Sequence, residues 1–335
     1  MSSSELLRVD RLSAAWDGAP ILREVSFSVD PGEFVVLMGP NGSGKTTLLR
    51  AIAGLEQPTG GSVVLNGRAI DSLPTHRRGI GFLFQEPALF PTLDVWENVA
   101  FGLRVAKRPP TEVDRRVGEL LTLLRLTALS DRRAHELSGG ERQRAALART
   151  LATAPSLVLL DEPFASVDAQ FRAELRAEFR RVLRSVGTAA IHVTHDREEG
   201  LFLGERVLVL LDGALRQEGR PEELFDRPVD ADVARFLGYN VLTSGDGEVA
   251  VRPEELEPTE SAPDRPTARV LDSGFGASGR VVYLEGPSGV TWEARLANGR
   301  PLPAAGERVG LRWTRAVRLA SSRHPLLDRS HAKDR

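Results

Sequence analysis

Short apolar runs alternate with longer amphipathic stretches through most of the chain. Phe34–Met38, Leu157–Leu160, Ala189–Thr194 and Val207–Leu211 are nearly continuous in Val, Leu, Ile and Ala, and their length is that of a strand. Such runs read as strands buried on both faces. Thr47–Ala53, Val113–Leu126, Gly140–Thr153 and Ala169–Ser185 read instead as helices. Strands interleaved with helices predict a parallel sheet covered on both sides. After Gly238 the texture changes. Prolines cluster at Pro253, Pro258, Pro263 and Pro266, and short runs at Arg269–Leu271, Arg280–Leu284, Val290–Arg295 and Arg308–Trp313 are separated by Gly, Pro, Asn and Ser. This predicts a small all-β domain of the partly open barrel kind. From Ala320 the chain is polar and reads as a frayed end. The expected division is therefore 1–238, 239–320 and a tail over 321–335.

Composition narrows the class. The chain has 335 residues, enough for two domains of about 150 residues each. Hydrophobic residues make up 41% and charged residues 27%, which supports a packed core. Basic residues number 44 and acidic residues 46, for a net charge of −2, so the basic excess of a dedicated nucleic-acid binder is missing and no nucleic-acid partner is expected. There is no cysteine, which excludes disulfide and thiolate chemistry and is compatible with a reducing cytosol. The opening MSSSELLRVDRL lacks the basic-then-apolar order of a secretory leader. No window approaches the ~18 apolar residues of a membrane span, so any membrane role is expected to be peripheral.

The chemistry begins at Gly39-Pro40-Asn41-Gly42-Ser43-Gly44-Lys45-Thr46, between a buried strand and a helix. Glycines at this spacing let successive backbone N–H groups converge on phosphate oxygens. Lys45 is placed to reach the β- and γ-phosphates, the Thr46 hydroxyl to bind Mg²⁺, and the helix that starts here adds its positive end, with Thr47 in its first turn. A second station is the strand Leu157–Leu160, which runs into Asp161 and Glu162. Strand alternation predicts that these two carboxylates point in different directions, one toward a metal shell and the other toward the γ-phosphate. A third is Leu137-Ser138-Gly139-Gly140-Glu141-Arg142-Gln143-Arg144, where Ser138 can cap a helix whose first turn exposes backbone donors. One chain thus carries two helix starts suited to phosphate.

Together these residues closely resemble the ATP-binding cassette (ABC) ATPases. The remaining stations occur in that family's order: Trp16 where an aromatic stacks on adenine, Gln85 in FLFQEP, Ser166-Val167-Asp168 after the carboxylates, and His195 in VTHD. Each is unremarkable alone; their order gives the resemblance its specificity, over about residues 5–238. Trp16 in place of the commoner Tyr, and SVD in place of SALD, are mild departures that remove no functional group.

The resemblance implies an α/β P-loop NTPase, an ABC cassette with a helical subdomain at about 86–150, followed by a small C-terminal all-β OB-like domain. Val251-Arg252-Pro253-Glu254-Glu255-Leu256 is similar to the entry of the transport-associated (TOBE) domain of bacterial importer ATPases. It also implies a homodimer of cassettes with ATP and Mg²⁺ held between Gly39–Thr47 of one copy and Ser138, Gly139, Gly140 and Gln143 of the other. Glu162, His195 and Gln85 then form the catalytic set, Thr46, Gln85 and Asp161 the metal set, and Asp168 a contact to the opposite cassette. Phe90, Leu93, Val95, Trp96, Val99 and Phe101 make the helical subdomain apolar, and some of them are expected to form a groove for a short helix of an integral membrane permease. A solute-binding protein would be an indirect partner. The expected location is the cytoplasmic face of the inner membrane. The expected cargo is an inorganic ion (sulfate, molybdate or tungstate, ferric iron) or a polyamine. A sugar importer, or a regulatory ATP-binding protein whose C-terminal domain senses an effector or transcription factor, is the alternative.

Overall fold

The computed structural model describes residues 5–319 apart from 166, 245, 246, 263, 264, 277, 278 and 298. The expected frayed tail and Ser166 lie outside the described residues. The chain divides into two compact units after Pro221. Among the described residues the first holds ten strands: β1 (Leu7–Trp16), β2 (Ala19–Val29), β3 (Phe34–Met38), β4 (Gly60–Leu65), β5 (Arg68–Ala69), β6 (Ile80–Leu83), β7 (Leu157–Asp161), β8 (Ala189–Thr194), β9 (Arg206–Leu211) and β10 (Ala214–Gly219). Its α-helices are α1 (Lys45–Ala53), α2 (Val95–Val105), α3 (Pro110–Leu123), α4 (Gly139–Ala152), α5 (Ala169–Val186) and α6 (Arg197–Leu203).

The central sheet has the order β10-β9-β3-β8-β7-β6. Its pairs from β9 to β6 are parallel, and β10 closes one edge antiparallel. All residues of β3, β7 and β8 are buried, which is why these strands read as continuous apolar runs. The ends of β3, β7 and β8 lead into the phosphate loop, Glu162 and His195 respectively, so parallel pairing gathers the three at one end of the sheet.

A separate antiparallel sheet, β2-β1-β4-β5, was not among the expected elements. Both long strands are partly exposed and bulged: the β1–β2 register shifts between Val9 and Leu12, where Arg11 has φ 45°, and Glu24 on β2 has φ 49°. A bulge breaks the two-residue alternation on which a sequence reading depends. Helix bounds also differ from expectation. α1 begins at Lys45 rather than Thr47, and α3 runs from Pro110 to Leu123 because Pro110 takes the first helical position, where a missing N–H costs nothing.

The second unit begins with α7 (Pro221–Asp226) and α8 (Ala231–Phe236). Its strands are β11 (Asn240–Ser244), β12 (Gly247–Val251), β13 (Leu256–Thr259), β14 (Thr267–Gly276), β15 (Gly279–Glu285), β16 (Thr291–Leu296), β17 (Arg308–Trp313) and β18 (Val317–Arg318). They form two antiparallel sheets, β11-β12-β18 and β13-β17-β14-β15-β16, around Leu242, Val251, Leu256, Val282, Leu284 and Trp292. The division falls ahead of the expected Gly238. Arg252 ties α7 to this unit: it bonds Asp226 at 2.6 Å and stacks 3.9 Å over the Phe225 ring, while Tyr239 donates to the Phe225 carbonyl.

Candidate active site

The phosphate loop is held by close backbone approaches. A Cβ on Gly39 would lie 2.2 Å from the Leu210 carbonyl oxygen, so no side chain fits there. Gly44 has φ 100°, and a Cβ there would meet Leu22 at 2.8 Å. Helix α1 starts directly after it, leaving its first amides without intrahelical partners. Lys45 donates to the carbonyls of Gly39 and Pro40, both at 2.9 Å, and curls over the loop that precedes it. Burial pushes its ammonium below the ordinary lysine value, opposed by the nearby Glu162 and Asp161 charges.

Thr46 Oγ1 donates to Asp161 Oδ1 at 3.0 Å. Burial pushes the Asp161 carboxyl above its ordinary value, partly offset by that hydrogen bond. Strand alternation does not set the direction of its neighbour: β7 ends at Asp161, and Glu162 takes a left-handed φ of 44°, anchored by its N–H to the Val193 carbonyl at 3.2 Å. That turn sends the Glu162 carboxylate to His195, whose Nδ1 lies 2.9 Å from Glu162 Oε2. An ionised carboxylate only accepts, so Nδ1 carries the proton in this contact and Nε2 is left for another partner.

A cleft of about 500 Å³ is lined by Asn41, Gly42, Gly44, Lys45, Thr46, Thr47, Gln85, Glu162 and Ile21. Of these, only Ile21 was not expected; a lone Ile on a half-exposed strand carries no signal in the sequence. The β1–β2 hairpin that brings Ile21 here also carries Trp16, which pairs with Ala19 and is 66% exposed. Ser43 lies inside the loop, nearly fully buried.

The expected residues divide between two places. Ser138, Gly139, Gly140 and Asp168 line a different cleft, of about 490 Å³, together with Arg144 and Phe171. Ser138 caps α4 in a reciprocal box with Glu141: its backbone N–H donates to Glu141 at 2.7 Å and its hydroxyl accepts from the Glu141 N–H at 3.3 Å. The Ser138 N–H is the main reason the Glu141 carboxyl lies below its ordinary value. Asp168 precedes α5 exposed, with its carboxylate making no cap hydrogen bond. Gln143 requires a correction. Its side chain is fully buried and donates to the Gln85 carbonyl at 3.2 Å, so it braces the Gln85 segment against α4 rather than facing a nucleotide. The resemblance placed it in the pocket, but its position on α4 faces the core.

A third, smaller cleft of about 240 Å³ lies between β6 and helices α2 and α4. Phe82, Phe84, Phe101 and Arg149 line it, and Arg149 stacks 4.1 Å above the Phe90 ring. Phe90 and Phe101 are 4.4 Å apart. Val95 and Val99 are core instead, and Trp96 packs under Arg104.

A loop that can wrap phosphate, a hydroxyl–carboxylate pair beside it, and a carboxylate–imidazole pair facing it define a nucleoside-triphosphate-hydrolysing cassette. The chain belongs to the ABC transporter family: that family's model matches residues 22–165, and the TOBE domain model matches 249–319. It is 47% identical over 260 residues to a molybdate/tungstate import ATP-binding protein of Thermococcus kodakarensis, covering 78% of this chain and 75% of that one. It is 37% identical to a sulfate/thiosulfate import ATP-binding protein of Synechocystis, covering 90% and 91%, and 36% identical to a spermidine/putrescine import ATP-binding protein of Rubrobacter xylanophilus, covering 92% and 91%. Among solved structures it is similar to cbiO1 of Clostridium perfringens, part of an ABC transporter complex (TM-score 0.62, 29% identity, 69% of this chain and 94% of that one). A second is an ATP-binding cassette solved as a dimer in a post-hydrolysis state with ADP and phosphate (TM-score 0.57, 31% identity, 64% and 98%). This protein is thus an ATP-binding protein of the ABC transporter family with a C-terminal TOBE domain.

Adenine recognition gives one expected outcome. If Trp16 stacks on adenine, replacing it by Ala removes a platform worth roughly 1–3 kcal/mol. The Kd for ATP should rise by about five- to a hundredfold at that cost, with Trp16→Phe largely restoring it. Titration with a fluorescent ATP analogue reads this directly; an unchanged Kd in Trp16→Ala would remove the residue from the site.

Proposed function

We propose that this chain is the energy-coupling ATPase subunit of an importer and works as a homodimer. ATP lies between Gly39–Thr47 of one copy and Ser138–Gly140 of the other. The observation that carries this is the presence of two phosphate-suited helix starts, α1 and α4, that open onto clefts sharing no lining residue. Each is half of a site, and a second copy supplies the other half.

Within that pocket Glu162 takes the proton of the attacking water. His195 holds its Nε2 toward the γ-phosphate while Nδ1 is fixed by Glu162. Thr46 and Asp161 are hard oxygen donors 3.0 Å apart, and Gln85 lines the same cleft, a set that suits Mg²⁺. Among the described residues no cluster of three or more His, Cys, Asp or Glu forms a cage. When bound, the ion would neutralise charge building on the phosphates.

The partner on the membrane side is a permease whose short helix enters the cleft at Phe84, Phe101 and Arg149. Among the described residues no helix is long and apolar enough to cross a bilayer; the proposed place is the cytoplasmic face of the membrane, where the permease holds the chain. The relatives' names favour an inorganic oxyanion or a polyamine as cargo. The test is co-expression with a candidate permease. The chain should co-purify with the permease and hydrolyse ATP faster in its presence. Phe101→Asp should lower recovery of the complex by about tenfold or more. Because the chain has no cysteine, a single Cys at Phe84 reports proximity by crosslinking. Undiminished recovery of Phe101→Asp together with no crosslink would rule out this cleft.

A further inference from the structure

Behind the catalytic pair lies a buried polar chain that none of these roles uses. His192 is fully buried on β8, three residues before His195, between the rings of Phe164 (5.5 Å) and Phe34 (6.1 Å). Its Nε2 contacts Glu199 on α6, which is itself 4% exposed. The second oxygen of Glu199 takes Arg176 of α5 at 2.5 Å, and Arg176 also bonds Asp196 Oδ2 at 3.0 Å. Asp196 directly follows His195. Its other oxygen accepts from the Glu199 N–H at 3.2 Å, and its own N–H donates to Thr194 Oγ1 at 3.0 Å. Burial pushes the Asp196 carboxyl up, but the Glu199 N–H and Arg176 outweigh it and hold the group below its ordinary value.

A buried ionic chain is a poor source of stability, because desolvation cancels much of its attraction. What it does well is fix geometry. Apart from the Phe34 ring on β3, its contacts run between the segment that carries His195, helix α5 and the segment that carries Glu162. Phe164, two residues past Glu162, rests on the His192 ring from one side, and Arg176 grips Asp196 from the other. Helix α6 cannot drift away from the sheet's phosphate-loop strand without opening a tight contact: a Cβ on Gly200 would lie 2.0 Å from the Met38 sulfur.

We propose that His192, Glu199 and Arg176 are positioning residues that hold Asp196, and through it His195, in hydrogen-bonding register with Glu162. This rests on the catalytic reading of Glu162 and His195 given above. Arg176 is the member to remove, since it alone bridges Glu199 and Asp196 and sits nearest solvent.

The test uses the full chain with MgATP. Arg176→Gln should lower kcat by about tenfold while leaving KM for ATP within about twofold, because a displaced catalytic group costs rate rather than ground-state binding. Arg176→Lys, which keeps the charge, should recover most of the loss. A second readout looks at His195 itself. In ¹⁵N-histidine spectra its resonances, identified by their loss in His195→Ala, should show protonation at Nδ1 in the parent chain and a mixed tautomer in Arg176→Gln. A role in folding alone would lower the unfolding temperature without moving that tautomer. Should Arg176→Gln destabilise the fold too far, Glu199→Gln carries the same two readouts. An unmoved His195 spectrum, or a loss appearing in KM instead of kcat, overturns the proposal. If His195→Ala itself hydrolyses ATP at the parent rate, the catalytic reading fails first, and the two failures are told apart.

Discussion

Glu162→Gln binds ATP with close to parent affinity and loses about 10²–10⁴-fold in steady-state turnover. The size follows from what the change leaves intact. Gln has the shape of Glu and its carbonyl still accepts from His195 Nδ1–H, so the 2.9 Å contact survives. The left-handed turn at φ 44° is set by the backbone and is also kept. Only the proton acceptor and one negative charge are gone. Loss of that charge acts on binding in two opposing ways. It removes one of the two groups that support the buried Lys45 ammonium, and it removes repulsion against the phosphates. Affinity therefore moves little while the chemical step collapses. The variant should also accumulate ATP-bound dimers, visible by size-exclusion chromatography, because the pocket closes and does not empty. Turnover within a few-fold of the parent protein would mean that water is activated by another group.

How much of this was open to a sequence reading depends on how local each feature is. The phosphate loop, the Asp161–Glu162 pair and the Ser138 cap are each formed by a few consecutive residues, and they occur where their spacing placed them. Strands β3, β7, β8 and β9 were legible because near-complete burial makes them predominantly apolar. Helix α7 and helix α8, of six residues each, are too short to show a period, and so the second unit appeared to start later than it does. Long-range facts were invisible. That Gln143 turns inward to Gln85, or that His192 in an otherwise apolar strand meets Glu199 and Arg176, depends on which helices pack over which strand. Polar residues at such positions look like surface until the packing is known.

The proposed division of the site between two copies leads to the second large effect. Lys45→Ala removes the cation that spans the phosphate loop, and Gly140→Asp places a negative side chain at the first turn of α4, where the helix end should face phosphate. Each chain alone should be inactive: in a homodimer of either, both pockets lack one half. In an equimolar mixture that has been allowed to exchange subunits, half of the dimers are mixed. A mixed dimer pairs the intact phosphate loop of the Gly140→Asp chain with the intact α4 start of the Lys45→Ala chain, giving one complete pocket and one doubly defective pocket. If the two pockets turn over independently, activity should return to about a quarter of the parent level, as follows from two-fold symmetric pairing. Recovery below that value would mean that both pockets must fill before either fires, a statement about cooperativity that the mixture measures directly. The decisive control is the double variant. A chain carrying both changes, mixed with the parent protein, leaves each mixed dimer without a complete pocket, since each pocket then joins one good half to one bad half, and only the quarter of dimers that are parent homodimers turn over. Restoration in the first mixture without added activity from mixed dimers in the second requires that the two halves come from different chains. No recovery in the first mixture, with about half the parent level in the second, would place the whole pocket within one chain and remove the reason for α4 to begin as α1 does.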